Sequence, residues 1–170
     1  MKNIKLIVLD VDGTLTDGSI QIDNLGNEIK SFNVKDGMGI AQAIKHGVGC
    51  AIITGRNSKI VEKRSKELGI EHVYQGIYNK KNQLELILND LNISFQNVAY
   101  IGDDINDLEA MKLVEFSGCP NDSADEVKKS VDFISKYGGG KGAVREIIEY
   151  ILKKQNLWGE IVNKYEGVAQ

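Results

Sequence analysis

Two aspartates stand one residue apart at the end of an apolar run. Residues 6–18 read LIVLDVDGTLTDG, so Asp10 and Asp12 follow Leu6–Leu9 directly. Strand interiors disfavour aspartate, and a buried carboxylate without a partner is costly. Taken alone the pair is a strand end running into a turn, since Asp and Gly are common turn residues. Three later runs end the same way: GCAIIT leads to Thr54, Gly55 and Arg56, HVYQGIYNK leads to Lys80, and NVAYIG runs into GDDIND, with Asp103, Asp104 and Asp107. Clustered carboxylates repel one another unless a hard cation sits among them, and Mg²⁺ takes oxygen ligands from one or two carboxylates plus substrate phosphate. Thr54 and Lys80 could then hold phosphoryl oxygens, by hydroxyl donation and by charge. A carboxylate so placed can attack phosphorus to form an aspartyl-phosphate. A second one can protonate the leaving oxygen and later deprotonate water. A division of labour between cation and proton explains why two aspartates tolerate such proximity.

These residues need a scaffold that brings successive strand ends to one edge. Apolar runs of strand length occur at 4–9, 49–54, 72–75, 97–102 and, more weakly, 131–135. Helical spacing lies between them: Leu84, Ile87, Leu88 and Leu91 keep an i, i+3, i+4, i+7 pattern, and Val144, Ile147, Ile148, Ile151 and Leu152 share one face. SKIVEKRSKELG reads as a charged surface helix closed by Gly69. The alternation predicts an α/β fold, doubly wound around a mainly parallel sheet, with ligands at the carboxyl ends of the strands. Residues 19–34 depart from it. SIQIDNLGNEIKSFNV alternates about the turn DNLGN and predicts a β-hairpin inserted after the first strand. Asp36 is the expected N-cap of the helix that follows.

The set DVDGT, ITGR, Lys80 and GDDIND, in that order over residues 10–107, resembles the haloacid dehalogenase superfamily of phosphotransferases. The resemblance implies Asp10 as nucleophile and Asp12 as general acid/base. It implies Thr54, Gly55 and Lys80 at the phosphoryl group, and Mg²⁺ held by Asp10, Asp103 and the backbone carbonyl of Asp12. Asp104 and Asp107 take supporting roles. A Rossmann-like fold is implied, and the short segments after the first two motifs leave no room for a cap domain. Residues 1–155 then form the phosphatase domain, including hairpin 19–34, and 156–170 a C-terminal tail.

Within that superfamily the chain resembles the capless 3-deoxy-D-manno-octulosonate 8-phosphate phosphatases. The likeness is carried by DGSIQIDNLGNEIKSFNVKDGMGI, VYQGIYNK and GGGKGAVREI as well as the four motifs. It implies a phosphorylated keto sugar acid as substrate and a homotetramer whose hairpins close neighbouring sites. It also implies a place in making that sugar acid, lipopolysaccharide among its uses. A nine-carbon keto acid 9-phosphate is the alternative substrate. Arg56 suits a carboxylate through its planar fork, unless it merely pairs with a helix residue such as Glu62. Lys35 and Lys141 are further substrate-binding candidates. The run YGGGKG could let backbone approach a ligand closely.

Bulk properties exclude other classes. A net charge of −3 without a basic stripe argues against nucleic acid, and no apolar stretch is long enough for a bilayer. Without a secretory pattern at the start, and with only Cys50 and Cys119, the expected location is cytoplasmic. Neither His46 nor His72 has companion ligands, so neither is expected to be catalytic. Trp158, Ile161, Val162 and Tyr165 keep helical spacing and should pack, whereas the terminal EGVAQ has no core pattern and is expected to be disordered.

Overall fold

Leu6–Leu9 (β1) is buried along its whole length, which marks a strand covered on both faces. The computed structural model, which describes Met1 and residues 3–167, places it inside a six-stranded parallel sheet. Its neighbours are Gly49–Ile53 (β4) on one side and Val98–Ile101 (β6) on the other, with Leu9 opposite both Ile52 and Ile101. His72–Tyr74 (β5) lies outside β4; Phe116–Cys119 (β7) and Phe133–Ile134 (β8) extend the far side, giving the order β5-β4-β1-β6-β7-β8. The chain winds outward from β1 through β4 to β5, then crosses back to β6. The strand order thus reverses beside β1, where open α/β sheets form their ligand crevice.

The two-residue period of β1 divides the core. Ile7 and Leu9 face Ile40 of Val34–Lys45 (α1) and Ile147, Ile148 and Ile151 of Ala143–Lys154 (α6). Leu6 and Val8 face Leu84, Ile87 and Leu88 of Lys80–Leu91 (α3). Full burial of each such side chain contributes roughly 1.5–3 kcal/mol. Continuing that alternation carries Asp10 to the α3 side. Lys59–Leu68 (α2) follows β4 and ends at Gly69, whose φ of 76° is left-handed as the sequence predicts. Leu108–Met111 (α4) and Asp125–Lys128 (α5) are single turns after β6 and β7.

One strand has no counterpart among the apolar runs. In β7, FSGC, Ser117 and Gly118 break the hydrophobic pattern, yet all four residues are buried. Gly118 is small because α6 lies close: a Cβ there would come within 3.1 Å of Ile147 Cγ2. The insertion after β1 is a ribbon, Gln21–Ile22 (β2) paired antiparallel with Glu28–Ile29 (β3). Its turn is tied by Asp23, which accepts hydrogen bonds from the backbone of Leu25 and Asn27.

The start of α1 corrects one expectation. Its N-cap is Asn33, which accepts from the Lys35 N–H, while Asp36 sits buried in the first turn. Asp36 instead reaches α6, accepting from the Arg145 N–H at 2.7 Å. Gly142 at the N-cap of α6 has no side chain to offer, so α1 caps α6 from outside. Trp158–Tyr165 (α7) folds back: Ile161 joins the core, Arg145 lies over the Trp158 ring, and Tyr165 accepts from Gln42. Residues 168–170, the last part of EGVAQ, lie outside the described residues. No helix among the described residues is long and apolar enough to cross a membrane.

Candidate active site

β1, β4 and β6 are adjacent and parallel, so the residues after Leu9, Ile53 and Ile101 emerge at one edge. Lys80 opens α3 beneath them. Its ammonium is almost fully buried, 3.0 Å from Asp10 Oδ2 and 2.7 Å from Asp107 Oδ1. Asp107 also accepts from the Tyr100 hydroxyl at 3.0 Å and from the N–H groups of Asp103 and Asp104 at 3.2 and 3.4 Å. Both of its oxygens are therefore occupied, and Asp107 serves as the anchor of the GDDIND loop. Asp103 Oδ1 accepts from Thr14 at 2.7 Å. Gly13 must be glycine, because at φ 97° a Cβ would stand 2.1 Å from Asp103 Oδ2. Thr54 is buried at the end of β4, with Gly55 following.

Burial and mutual repulsion shape the electrostatics of this corner. Burial pushes the Asp10 carboxyl up to about 6, Asp107 adding to the rise and Lys80 opposing it. Burial pushes Asp103 up to about 7; the Thr14 hydrogen bond lowers it, while Asp10 and Asp107 raise it. For Lys80, burial disfavours the charge, but Asp10 and Asp107 outweigh it and its pKa rises. Carboxylate oxygens of Asp10, Asp103 and Asp107 lie within 4.8 Å of one another. Asp10 Oδ1 is buried without a hydrogen-bond partner, a costly condition for a carboxylate. An all-oxygen donor set with one bare oxygen fits Mg²⁺. Because Asp107 is already saturated, Asp10 and Asp103 have the capacity to bind it.

Asp12 faces the other way. Its side chain meets the Lys30 ammonium and stands 3.9 Å from Arg56 Nε, outside the acidic cluster. Arg56 also donates to Glu28 at 3.3 Å, so its ion-pair partners are Asp12 and this hairpin residue, not Glu62. Glu62 receives Gln75 instead. Asp104 caps its own loop, accepting from the Ile105 N–H. Lys35 and Lys141 line a separate cleft of about 620 Å³ with Arg145 and Tyr150, to which Asp10, Asp12 and Asp103 do not contribute.

The triple glycine approaches protein rather than ligand. A Cβ on Gly139 would lie 1.9 Å from the Gly13 carbonyl oxygen, and the Gly140 N–H donates to Thr14 O at 3.1 Å. The run is a clamp on the loop after Asp10. Motif reading overlooks Lys30, Glu28 and Tyr100. The first two sit in a hairpin whose pattern announces only a ribbon, and Tyr100 is hidden in an apolar strand. The one available signal was Glu28 and Lys30 alternating with Ile29, which puts both charges on one face.

Residues 72–148 match the haloacid dehalogenase-like hydrolase family. The 3-deoxy-D-manno-octulosonate 8-phosphate phosphatase KdsC of Escherichia coli K12 is 44% identical over 154 residues, covering 91% of this chain and 82% of that protein. This chain belongs to the KdsC family of haloacid dehalogenase-like hydrolases. Two solved structures share its fold. The 3-deoxy-D-manno-octulosonate 8-phosphate phosphatase of Moraxella catarrhalis, in complex with magnesium ion, phosphate ion and KDO, has a TM-score of 0.95 at 41% identity, over 96% of this chain and 94% of that one. The cobalt-bound phosphatase of Haemophilus influenzae has a TM-score of 0.88 at 37% identity, over 92% of each chain.

Proposed function

We infer that this chain is a Mg²⁺-dependent phosphomonoesterase that hydrolyses 3-deoxy-D-manno-octulosonate 8-phosphate to the free sugar acid and phosphate. The observation that carries this reading is the buried Asp10 carboxylate, Oδ2 on Lys80 and Oδ1 unpartnered, grouped with Asp103 in a chain 44% identical to a KdsC phosphatase. Asp10, Asp103 and the Asp12 carbonyl would hold Mg²⁺, which when bound neutralises charge on the transferring phosphoryl group. Lys80 orients the Asp10 carboxylate at the end of β1; one of its oxygens would be the metal's ligand and the other attacks phosphorus, giving an aspartyl-phosphate as the ester bond to the sugar oxygen breaks. Thr54, the Gly55 backbone and Lys80 bind phosphoryl oxygens. Asp12 gives its proton to the departing sugar oxygen, then takes one from the water that releases phosphate. Asp107 keeps Lys80 and the 103–104 loop in place.

Arg56, half exposed beside Asp12, is the group we assign to the sugar-acid carboxylate. Lys35 and Lys141 stand apart from the carboxylates within one subunit, so a contact with substrate is assigned to the assembled protein. Support for a homotetramer comes from the ribbon, whose Ile20, Ile22, Leu25 and Ile29 are exposed. Such apolar ribbons gain from pairing with another surface. The deciding experiment compares kcat/KM for the eight-carbon and nine-carbon keto acid phosphates, with and without Mg²⁺. The eight-carbon ester should be preferred, and Arg56→Ala should lower kcat/KM on it, chiefly through KM, as loss of a carboxylate contact does. Equal turnover of both acids by the native enzyme would overturn the substrate, and turnover by Asp10→Ala would overturn the nucleophile.

A further inference from the structure

The hairpin returns a lysine to the active site that lies outside DVDGT, ITGR and GDDIND. Lys30, the residue after β3, has a side chain only 2% exposed, and its ammonium contacts Asp12 Oδ1 and lies 3.2 Å from Glu28 Oε1. Glu28 is held in turn from the body of the protein: the Ser58 hydroxyl donates to Oε2 at 2.8 Å and Arg56 donates to Oε1 at 3.3 Å. Ser58 is fixed too, its N–H donating to Gln75 at 2.8 Å. The chain Asp12–Lys30–Glu28–Ser58 therefore ties an otherwise exposed ribbon to the β4–α2 turn, and it ends on the carboxylate that handles protons. A long side chain is held this firmly only where several partners converge on it.

We propose that Lys30 is a positioning residue for the proton-donating step. With Oδ1 engaged by the ammonium, Oδ2, 3.9 Å from Arg56 Nε, is the Asp12 oxygen left to meet the leaving group. As the Asp10 oxygen bonds to phosphorus and the ester P–O bond breaks, the Oδ2 proton passes to the leaving oxygen. The products are a neutral alcohol and a negatively charged Asp12 carboxylate. Lys30 meets that new charge without moving, so the contact strengthens as the transition state is reached. The same contact lets the ribbon report to the chemistry: when the ribbon is out of place, Asp12 loses its orientation. This inference rests on the phosphatase reading.

The test uses two esters that differ in their need for a proton. The sugar acid 8-phosphate expels an alkoxide unless protonated, whereas p-nitrophenyl phosphate expels a stable phenolate. Because kcat/KM reports steps up to formation of the aspartyl-phosphate, it isolates the donation. Lys30→Met should lower kcat/KM about 100-fold on the sugar ester, in the range general acids contribute, and at least tenfold less on the aryl ester. Lys30→Arg, which keeps the charge, should restore most of the ratio. Equal losses on both esters, or none, would overturn the role. If Lys30→Met fails to fold, Lys30→Gln and Lys30→Arg read the same ratio. Native enzyme inactive on both esters would overturn the phosphatase reading and this inference with it.

Discussion

Protons and Mg²⁺ should compete for the same oxygens, and the structure sets the size of the effect. In the metal-free protein burial holds Asp10 at about 6 and Asp103 at about 7. Both must be ionised to take the ion. At about pH 8 nearly every molecule meets that condition; at about pH 6 Asp10 is half protonated and Asp103 about nine-tenths so, which leaves roughly one molecule in twenty competent. Mg²⁺ affinity should therefore fall roughly 20-fold between those two conditions. The sign for stability is opposite in the absence of metal. Both carboxyls titrate higher in the folded protein than in the unfolded chain, so the folded state retains protons that the unfolded one releases. Metal-free stability from these groups is full below the ordinary carboxylate range and is lost as pH rises through 6 and 7. Added Mg²⁺ should then raise the melting temperature most at the alkaline end. Isothermal calorimetry of Mg²⁺ binding, repeated in buffers of different ionisation enthalpy, gives both affinity and protons released. An affinity independent of pH, with no proton release at the acid end, would refute the electrostatic account of this corner.

Two substitutions test the framework around the site. Asp107→Ala removes the acceptor shared by Lys80, Tyr100 and two backbone N–H groups. It should cost about 3–5 kcal/mol, as breaking a buried ion pair does, read by thermal unfolding of the metal-free protein. An unchanged melting temperature would remove Asp107 as the anchor. Gly139→Ala places a Cβ 1.9 Å from the Gly13 carbonyl oxygen and 2.7 Å from that of Thr16, both main-chain atoms that cannot swing aside. The loop after Asp10 must shift, so kcat should fall about 100-fold, as displacements of about 1 Å at a reacting group do, with a stability loss of only about 1–3 kcal/mol. Steady-state kinetics beside a melting curve separates the two effects.

Much of this protein can be read from the linear chain, and the reason is periodicity. β1, β4 and β6 are runs buried on both faces, so their hydrophobicity is continuous and visible. The helices α3 and α6 bury one stripe each, so Leu84, Ile87 and Leu88, or Ile147, Ile148 and Ile151, recur at helical spacing. Parallel strands must end at the same edge, which is why Asp10, Thr54 and Asp103 could be grouped before any coordinates. Their types and order alone determine the fold, the acidic corner and the class of chemistry.

The fold decided what depends on approach between distant segments. β7 is legible only once α6 is seen pressing on Gly118. Asp36 looks like a cap for its own helix, yet Asn33 stands nearer that end and α6 arrives with a bare glycine to be capped. The glycines 138–140 suggest room for a ligand, but Asp122 faces the first and the loop of residues 13–17 fills the space beside the other two. Lys30 lies outside the four catalytic motifs; its meaning comes from the ribbon folding over Asp12 and from Glu28 being held by Ser58. Local patterning encodes which face of an element is buried. Which charge meets which, across eighteen or a hundred residues of chain, is set only when packing brings those faces together.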